Sequence, residues 1–307
     1  MIDFRHETFL ALCRIKSYSK TAEQLHMTQP AVTQHIQHLE QLYGGKLFLY
    51  SGKTLTLTEK GQLLYHYTKR MAADSRHIRE AVCACGSSRS VAFGATLTIG
   101  EFVMPPLLPR VMQRHPGVQL HMSVENTAAL LAKLDEGGLS FALLEGFFDK
   151  SQYGCRLFSA EKFIAVCSPQ SPLRTGRHRL DELLQVPLIL RETGSGTRAI
   201  LEQLLMQRNL SSESFAGVLE IGNMSAIKAL VAQNEGITFL YEAACRQELR
   251  TQTLCPISLA EPDIMREFNF VYPQNSLHEE EYLGWFRELQ QLYTAHTAYD
   301  GGKDPIE

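Results

Sequence analysis

The chain has 307 residues, 44% of them hydrophobic and 21% charged, and its formal net charge is −3. This composition is typical of a globular protein with two or three domains, long enough to bury a core without disulfides or a structural metal. No apolar run approaches the roughly 18 residues of a membrane span, and no long apolar stretch follows the first residues. We therefore predict no membrane contact and no signal peptide, and we expect a cytoplasmic protein.

The charges are distributed unevenly along the chain. Residues 1–88 contain 11 Lys or Arg and 7 Asp or Glu, whereas residues 89–307 contain 19 and 26. A basic head on an acidic body is typical of a protein whose N-terminal part binds DNA, although this bias is modest. The seven cysteines are scattered without a CxxC pair, which predicts a reducing compartment and small buried side chains. A redox sensor is the alternative.

Two short helices are predicted at the start of the chain. Apolar residues recur between Phe4 and Ile15 and mark the first helix, with Asp3 as its candidate N-cap. Ser19 is the candidate N-cap of the second. The residues His26 and Met27 then form a tight turn.

The third helix combines an apolar stripe with a polar outer face. Thr28 can cap it, Pro30 fits its first turn, and Gly44 supplies the stop. The apolar stripe contains Val32, Ile36, Leu39 and Tyr43. The opposite face contains Gln29, Ala31, Thr33, Gln34, Gln37 and His38. Gln can bond adenine edges, and Thr and Ala methyls can contact thymine, so a helix-turn-helix that reads the major groove is one interpretation. A solvated face in a small helical bundle is the other.

A hairpin and a long helix follow. Two alternating segments within residues 46–58 flank Ser51-Gly52-Lys53, which predicts a wing whose tip residue, Lys53, can reach a phosphate or a minor groove. Thr58 caps a helix predicted over residues 59–84. An approximate heptad stripe on this helix contains Leu64, Tyr67, Met71, Ile78 and Cys85. A lone helix with such a stripe needs a partner helix, so we expect a dimer.

These residues resemble the N-terminal domain of the LysR-type transcriptional regulators. The resemblance rests on about sixty residues in register, including Ser19-Lys-Thr-Ala22, Thr28-Gln-Pro-Ala-Val-Thr33, Leu47-Phe48 and Leu57-Thr58-Glu-Lys-Gly61. It implies a homodimer or homotetramer that binds double-stranded promoter DNA, with RNA polymerase as a further candidate partner. It also implies that DNA is contacted by Ser19, Thr28, Gln29, Pro30, Ala31, Thr33, Gln34, Gln37, His38 and Lys53.

Strand-like and helix-like segments alternate in the rest of the chain. Gly86–Ser90 is small and polar, which predicts a hinge. Strands are predicted over residues 91–93, 118–124, 141–144, 163–167, 188–190, 237–240 and 268–272. Helices are predicted over residues 105–114, 127–136, 197–207 and 282–292. Such alternation favours a parallel α/β sheet.

This half also resembles the LysR family, whose effector domain is similar to periplasmic solute-binding proteins. Matching stretches include residues 94–101, 143–146, 187–198 and 220–228. The implied fold is α/β: a winged helix-turn-helix (1–58), a linker and dimerisation helix with its hinge (59–88), and a two-lobed periplasmic-binding-protein-like domain (89–307). The resemblance implies a first lobe of residues 91–162 plus 266–300 and a second of 163–265, with crossings near Lys162 and Met265. A ligand cleft would lie between them.

Two turns in this half carry hydroxyls beside a helix start. The segment Gly194–Arg198 lacks the Gly-Lys-Ser/Thr of a nucleotide-binding P-loop, but its glycines, hydroxyls and helix start can bind an anion. Ordinary helix capping is the alternative, and the spacing alone favours it. The family resemblance favours ligand contact instead. The candidate effector residues are Thr96, Thr98, Glu145, Ser195, Thr197 and Arg198, and we expect a small anion as the effector.

No catalytic or metal-binding pattern is found in the sequence. His35 and His38 lack accompanying ligands, so no metal site is predicted, and no cofactor is expected. A solute-binding protein would need a signal peptide, and an enzyme with a helical appendage would need a nucleophile or base motif. We therefore expect a sequence-specific DNA-binding transcriptional regulator that is not an enzyme. A weak resemblance links it to family branches of sulfur and carbon assimilation.

Overall fold

The structure is a computed structural model that describes residues 3–52, 54–83 and 90–300. The chain divides into two compact units. The first holds the elements up to the long helix, and the second holds the elements that follow, apart from residues 132–138 and 275–278, which group with the first. No helix within the described ranges combines the length and apolar character that crossing a membrane requires.

Three helices open the first unit: α1 (Phe4–Ile15), α2 (Tyr18–Gln24) and α3 (Gln29–Leu42). The Asp3 side chain accepts a hydrogen bond from the backbone N–H of Arg5, which confirms the predicted cap of α1. The predicted cap of α2 is wrong: Ser17, not Ser19, has the extended backbone and accepts from Lys20 N. Ser19 already lies inside the helix.

Helix α3 begins and ends where the sequence predicts. Thr28 Oγ1 accepts from Ala31 N, and Gly44 follows the helix with a φ of +66°. Val32, Ile36 and Leu39 are buried, as predicted, but Tyr43 is 43% exposed. Tyr43 is the cap residue beyond the last helical turn, so its hydroxyl meets His6 Nε2 at 2.8 Å instead of entering the core.

The remaining elements of this unit are a hairpin, β1 (Phe48–Ser51) with β2 (Thr54–Leu57), and the helix α4 (Glu59–Cys83). Ser51 pairs with Thr54 at the hairpin end, so only residues 52 and 53 connect the strands. Thr58 caps α4, as predicted, by accepting from Gly61 N at 2.9 Å. The core of the unit contains Phe9, Leu12, Cys13, Ile36, Leu39, Leu47, Phe48 and Leu55.

Helix α4 carries an apolar stripe with large exposed side chains. The exposed members are Leu63, Tyr67, Met71, Ile78 and Val82. Leu64 of the predicted stripe is half-buried, and Cys85 and most of the predicted hinge lie outside the described residues. Exposed apolar side chains repeated along one helix are the pattern of a surface that packs against another helix.

The second unit is a mixed α/β structure. Its strands are β3 (Ser90–Ala95), β4 (Gln119–Val124), β5 (Phe141–Leu144), β6 (Gly154–Cys167), β7 (Leu188–Leu190), β8 (Val218–Glu220), β9 (Thr238–Tyr241), β10 (Cys255–Pro256) and β11 (Ile264–Tyr272). Its α-helices are α5 (Leu108–Arg114), α6 (Thr127–Asp135), α7 (Leu180–Leu183), α8 (Gly196–Met206), α9 (Met224–Ala232), α10 (Arg246–Arg250) and α11 (Glu279–Asp300).

The sheet is not all parallel, which corrects the sequence-based expectation. Strand β3 pairs in parallel with β4 and β5, and β7 pairs in parallel with β8. Strands β6 and β11 instead pair antiparallel with each other, and β11 also runs antiparallel to β5. These two strands extend well beyond the apolar segments that marked them in the sequence.

The long pair of strands joins the two regions predicted as lobes. Lys162 and Met265, the predicted crossing points, are cross-strand partners in the β6–β11 ladder. On one side of this pair, β11 is bonded to β5, and β5 is bonded to β3. On the other side, β6 pairs with β9 and β10. The predicted cleft would lie at the carboxyl ends of β3, β5 and β9. In open α/β sheets, a crevice forms outside the carboxyl ends of the strands where the strand order reverses.

Candidate DNA-binding surface and effector site

Apart from Lys53, the predicted DNA-contacting side chains lie on the outer face of α3, at its cap Thr28 and at Ser19 of α2. Those of Ser19, Thr28, Gln29, Pro30, Gln34, Gln37 and His38 are exposed, and those of Ala31 and Thr33 are half-buried. Lys53 lies outside the described residues. The turn before α3 depends on His26, which has a φ of +52°, and on a bond from Met27 N to Ala22 O. A tight turn between two such helices leaves the second free to enter a major groove.

Hydrogen bonds orient some of these side chains before any DNA is bound. Ser19 Oγ donates to Gln29 Oε1 at 2.9 Å, which links α2 to the first turn of α3. The Thr33 hydroxyl donates back to the Gln29 carbonyl oxygen at 3.1 Å, so its methyl group is the part available for contact with a base. The Ser19–Gln29 bond was not predicted from the sequence, because Ser19 was assigned to capping.

The effector candidates Thr96, Thr98 and Glu145 lie beside one another because β3 and β5 are adjacent parallel strands. Thr96 and Thr98 follow β3, and Glu145 follows β5. The chain after β3 turns into a short π-helix, Ile99–Val103, a feature the sequence did not predict. Thr98 caps no backbone group there, so its hydroxyl is available for a tertiary contact.

The structure brings Thr98, Glu145 and Thr197 together. Thr98 Oγ1 donates to Glu145 Oε1 at 2.9 Å, and the hydroxyl oxygens of Thr98 and Thr197 are 3.5 Å apart. All three side chains are at most 2% exposed. A Cβ placed on Gly196 would lie 3.4 Å from Glu145 Cγ, at ordinary van der Waals distance. The β5 end and the start of α8 are therefore in direct contact.

Glu145 is an incompletely satisfied buried acid. Its Oε2 has no hydrogen-bond partner among the described residues, and neither does the nearby buried Thr96 Oγ1. Burial raises the pKa of Glu145 to about 7, and this effect outweighs the hydrogen bonds from Thr98 and Thr197 and the positive charge of Arg191, which lower it. Glu145 can therefore exchange a proton near neutral pH, and a ligand would supply the missing partner.

The other two candidates occupy the edge of this site. Ser195 precedes α8 but makes no side-chain cap, contrary to the capping interpretation. Arg198 is engaged elsewhere: its Nε donates to Glu202 at 2.6 Å, and its Nη1 donates to the Arg191 carbonyl and to Glu220. Two acidic partners neutralise this guanidinium, so it is a weak candidate for holding an anion.

A pocket of about 400 Å³ adjoins the site and contains Ser195 and Arg198 in its wall. Its lining also includes Thr127 and the exposed aromatic ring of Phe147. Neither residue was identified from the sequence. The Thr127 hydroxyl donates to the Glu145 carbonyl oxygen at 3.1 Å, so Thr127 joins the start of α6 to the same site.

Two cysteines are close to each other in the second unit. Cys167 and Cys255 are cross-strand partners in the β6–β10 ladder, and both are free thiols. Burial raises the pKa of the Cys167 thiol to about 11. Since the thiolate is the reactive form, this environment makes Cys167 an unreactive thiol at neutral pH and favours the structural interpretation of the cysteines.

Both parts of the chain match models of a known family. Residues 5–62 match the model for the lysR family of bacterial regulatory helix-turn-helix proteins, and residues 85–293 match the LysR substrate binding domain. The chain is 30% identical to the HTH-type transcriptional regulator CfxR of Cupriavidus necator over 263 residues, which cover 85% of this chain and 82% of CfxR.

Solved structures agree on the fold. A Corynebacterium glutamicum OxyR C206 mutant is 20% identical with a TM-score of 0.60, covering 97% of this chain and 93% of that one. The regulatory domain of Synechocystis CcmR, solved in complex with 2-PG, is 20% identical with a TM-score of 0.58, covering 66% of this chain and 97% of that one. The chain therefore belongs to the LysR family and is a LysR-type transcriptional regulator with a helix-turn-helix domain and an effector-binding domain.

Proposed function

We propose that this regulator reads promoter DNA with the outer face of α3 and is controlled by a small anionic effector bound beside Thr98, Glu145 and Thr197. It acts as a homodimer or homotetramer assembled through α4, and RNA polymerase is a further expected partner. The observation that supports the effector site most strongly is the buried Glu145 Oε2, which has no hydrogen-bond partner among the residues that the structure describes. The CcmR regulatory domain, which was solved with 2-PG, supports a small molecule in this type of domain.

An anion at this site requires Glu145 to carry a proton. Two negative charges in one buried site repel each other, whereas a protonated carboxyl donates a hydrogen bond to the anion. The pKa of Glu145, about 7, makes that proton available near neutrality. Occupancy of the site then biases the equilibrium between conformations of the regulator, and those differ in their affinity for promoter DNA.

Base reading by α3 is tested on a duplex selected in vitro with the full chain from a random pool. Gln29→Ala and Thr33→Ala are each expected to weaken binding to the selected duplex by about 1 to 3 kcal/mol and to leave binding to random duplexes unchanged, because base-edge contacts carry sequence information. Fluorescence anisotropy at fixed salt measures both affinities. Gln62→Ala, an exposed glutamine on α4, is the matched control. Equal losses on both kinds of DNA would show that α3 contacts no base edges.

The effector site is tested by calorimetry of the full chain against a panel of small carboxylates and inorganic oxyanions. Thr98→Ala and Thr197→Ala are each expected to weaken binding about tenfold, since a hydrogen bond to a charged ligand contributes about 1.5 to 3 kcal/mol. Wild-type affinity is expected to fall as the pH rises above about 7, because Glu145 loses its proton. Thr251→Ala, at the end of α10, is the control. Binding that is unaffected by both variants and by pH would rule out this site.

A further inference from the structure

The hydrogen bond between Ser19 and Gln29 joins the start of α2 to the start of α3. Ser19 is the second residue of α2, Gln29 is the first residue of α3, and both side chains are exposed. The distance between Ser19 Oγ and Gln29 Oε1 is 2.9 Å. The effect of this bond on the reading of DNA depends on which end of the Gln29 amide it occupies.

The Ser19 hydroxyl is available to donate its proton to Gln29. A serine inside a helix often returns its proton to the carbonyl one turn earlier, but Ser19 lies in the first turn of α2, so no helical carbonyl precedes it. The cap of α2 is Ser17, whose Oγ accepts from Lys20 N, so the Ser19 hydroxyl is not needed for capping either.

The backbone of Gln29 is held by the cap of α3. Thr28 Oγ1 accepts from Ala31 N, and the Thr33 hydroxyl donates to the Gln29 carbonyl oxygen at 3.1 Å. The first turn of α3 is therefore ordered before DNA binds, and the Gln29 side chain leaves it from a defined position. A single hydrogen bond from Ser19 is then enough to set which end of the amide is turned toward α2.

The bond takes up the Oε1 end of the Gln29 amide, which leaves the Nε2 end of an exposed side chain for contact with a base. A glutamine that uses both ends pairs with adenine, whose major-groove edge presents the N7 acceptor beside the N6 donor. An amide that presents only N–H groups leaves the adenine N6 donor without a partner. Guanine instead presents two adjacent acceptors, N7 and O6, and no donor between them.

We propose that Ser19 is a positioning residue that makes Gln29 a reader of guanine instead of adenine. The two N–H groups of Gln29 Nε2 donate to N7 and O6 of one guanine in the half-site, whereas Ser19 acts through Gln29 and contacts no base itself. This role of Ser19 rests on the proposed reading of promoter DNA by α3, which it makes specific for one base.

The experiment measures the affinity of the full chain, by fluorescence anisotropy at fixed salt, for duplexes that carry each of the four base pairs in turn along the selected half-site. The position read by Gln29 is the one at which Gln29→Ala makes the four affinities equal. There the wild type is expected to prefer guanine to adenine by about tenfold, and Ser19→Ala to reduce this preference to about twofold or less. Ser19→Thr, the matched control, keeps the hydroxyl and is expected to retain the wild-type preference.

Two further variants show whether Ser19 acts through Gln29. In a chain that already carries Gln29→Ala, adding Ser19→Ala is expected to change no affinity, because the group that Ser19 positions is absent. Gln29→Glu replaces the N–H end of the amide with an acceptor, so it is expected to abolish the preference for guanine at the same position. Alanine favours a helix more than serine does, so unfolding of α2 does not explain an effect of Ser19→Ala.

A wild-type preference for any base other than guanine at the Gln29 position would overturn the proposed role of Ser19 and leave base reading by α3 intact. The same holds for a loss on Ser19→Ala that is equal on every duplex and persists beside Gln29→Ala, because Ser19 would then contact the DNA backbone directly. If no position of the half-site responds to Gln29→Ala, base reading by Gln29 itself is wrong, and the role of Ser19 falls with it.

Discussion

Replacing Glu145 with glutamine is expected to stabilise the effector domain at pH 8 much more than at pH 5.5. In the folded chain the pKa of Glu145 is about 7, compared with an ordinary value of 4.5. The neutral form is therefore favoured by folding. The contribution of the neutral carboxyl to the free energy of unfolding is complete below about pH 4.5 and falls as the pH rises. It is lost once the pH passes the folded pKa of about 7. Glutamine cannot ionise, so the variant does not suffer this loss.

The size of this effect follows from the shift in pKa. A shift of one pKa unit corresponds to about 1.4 kcal/mol, so the whole loss is about 3 kcal/mol, of which about 2 kcal/mol falls between pH 5.5 and pH 8. Urea unfolding followed by the fluorescence of Trp285 measures it, because Trp285 is the only tryptophan and lies in the core of the second unit.

A matched control separates this effect from the general pH dependence of the domain. Glu213→Gln changes an exposed glutamate on the same unit and should shift the unfolding free energy little at either pH. Parallel stability curves for Glu145→Gln and Glu213→Gln would mean that Glu145 is ionised throughout this range. The buried site would then be unsuited to an anion, and the effector proposal would need a ligand that carries a donor or a positive charge.

The helices of the DNA-binding domain could be predicted because their signals are local. Asp3, Thr28 and Thr58 each cap the helix that the sequence assigned to them. The error at α2 has a local cause as well: Ser17 and Ser19 are equally good caps by residue type, and only the extended backbone at Ser17 decides between them. Capping preference fixes where a helix can begin, but not which of two nearby serines begins it.

The interior of the effector domain was harder to predict from the sequence. The strands β3, β5 and β9 appear as short apolar runs, but nothing in those runs indicates that β6 and β11 pair antiparallel along most of their lengths. The resemblance to the LysR family identified Thr98 and Glu145 as candidates, yet not the bond between them. Tyr241 and Arg266 line one pocket of the folded domain, although no local sequence signal connects them.

Replacing both Met71 and Ile78 with glutamate is expected to abolish dimer formation through α4 and tight binding to a two-half-site operator. Both side chains are large, apolar and exposed, at 56% and 47%. If α4 packs against its counterpart in a second copy, symmetry places each new carboxylate in the contact twice. An unpaired buried charge costs about 3 to 5 kcal/mol, and the double variant would place four carboxylates in one symmetric contact.

Two measurements check this expectation together, since the effector domain can also self-associate. Sedimentation equilibrium should show the loss of the wild-type assembly or its reduction to a weaker one. Anisotropy should show that affinity for a two-half-site duplex falls to nearly that for a single half-site, because the second α3 is no longer held at the required spacing. Circular dichroism confirms that the helices remain folded.

The control is the pair Gln62→Glu and Arg76→Glu, which adds two carboxylates at exposed positions of α4 outside the apolar stripe and also removes the positive charge of Arg76. This pair should lower DNA affinity only through its unfavourable charge, equally on one and two half-sites, and leave the assembly intact. If the Met71 and Ile78 variant sediments as the wild type does and still prefers two half-sites to one, the stripe on α4 is not the dimer contact. The exposed side chains of Leu63, Tyr67 and Val82 would then need another partner.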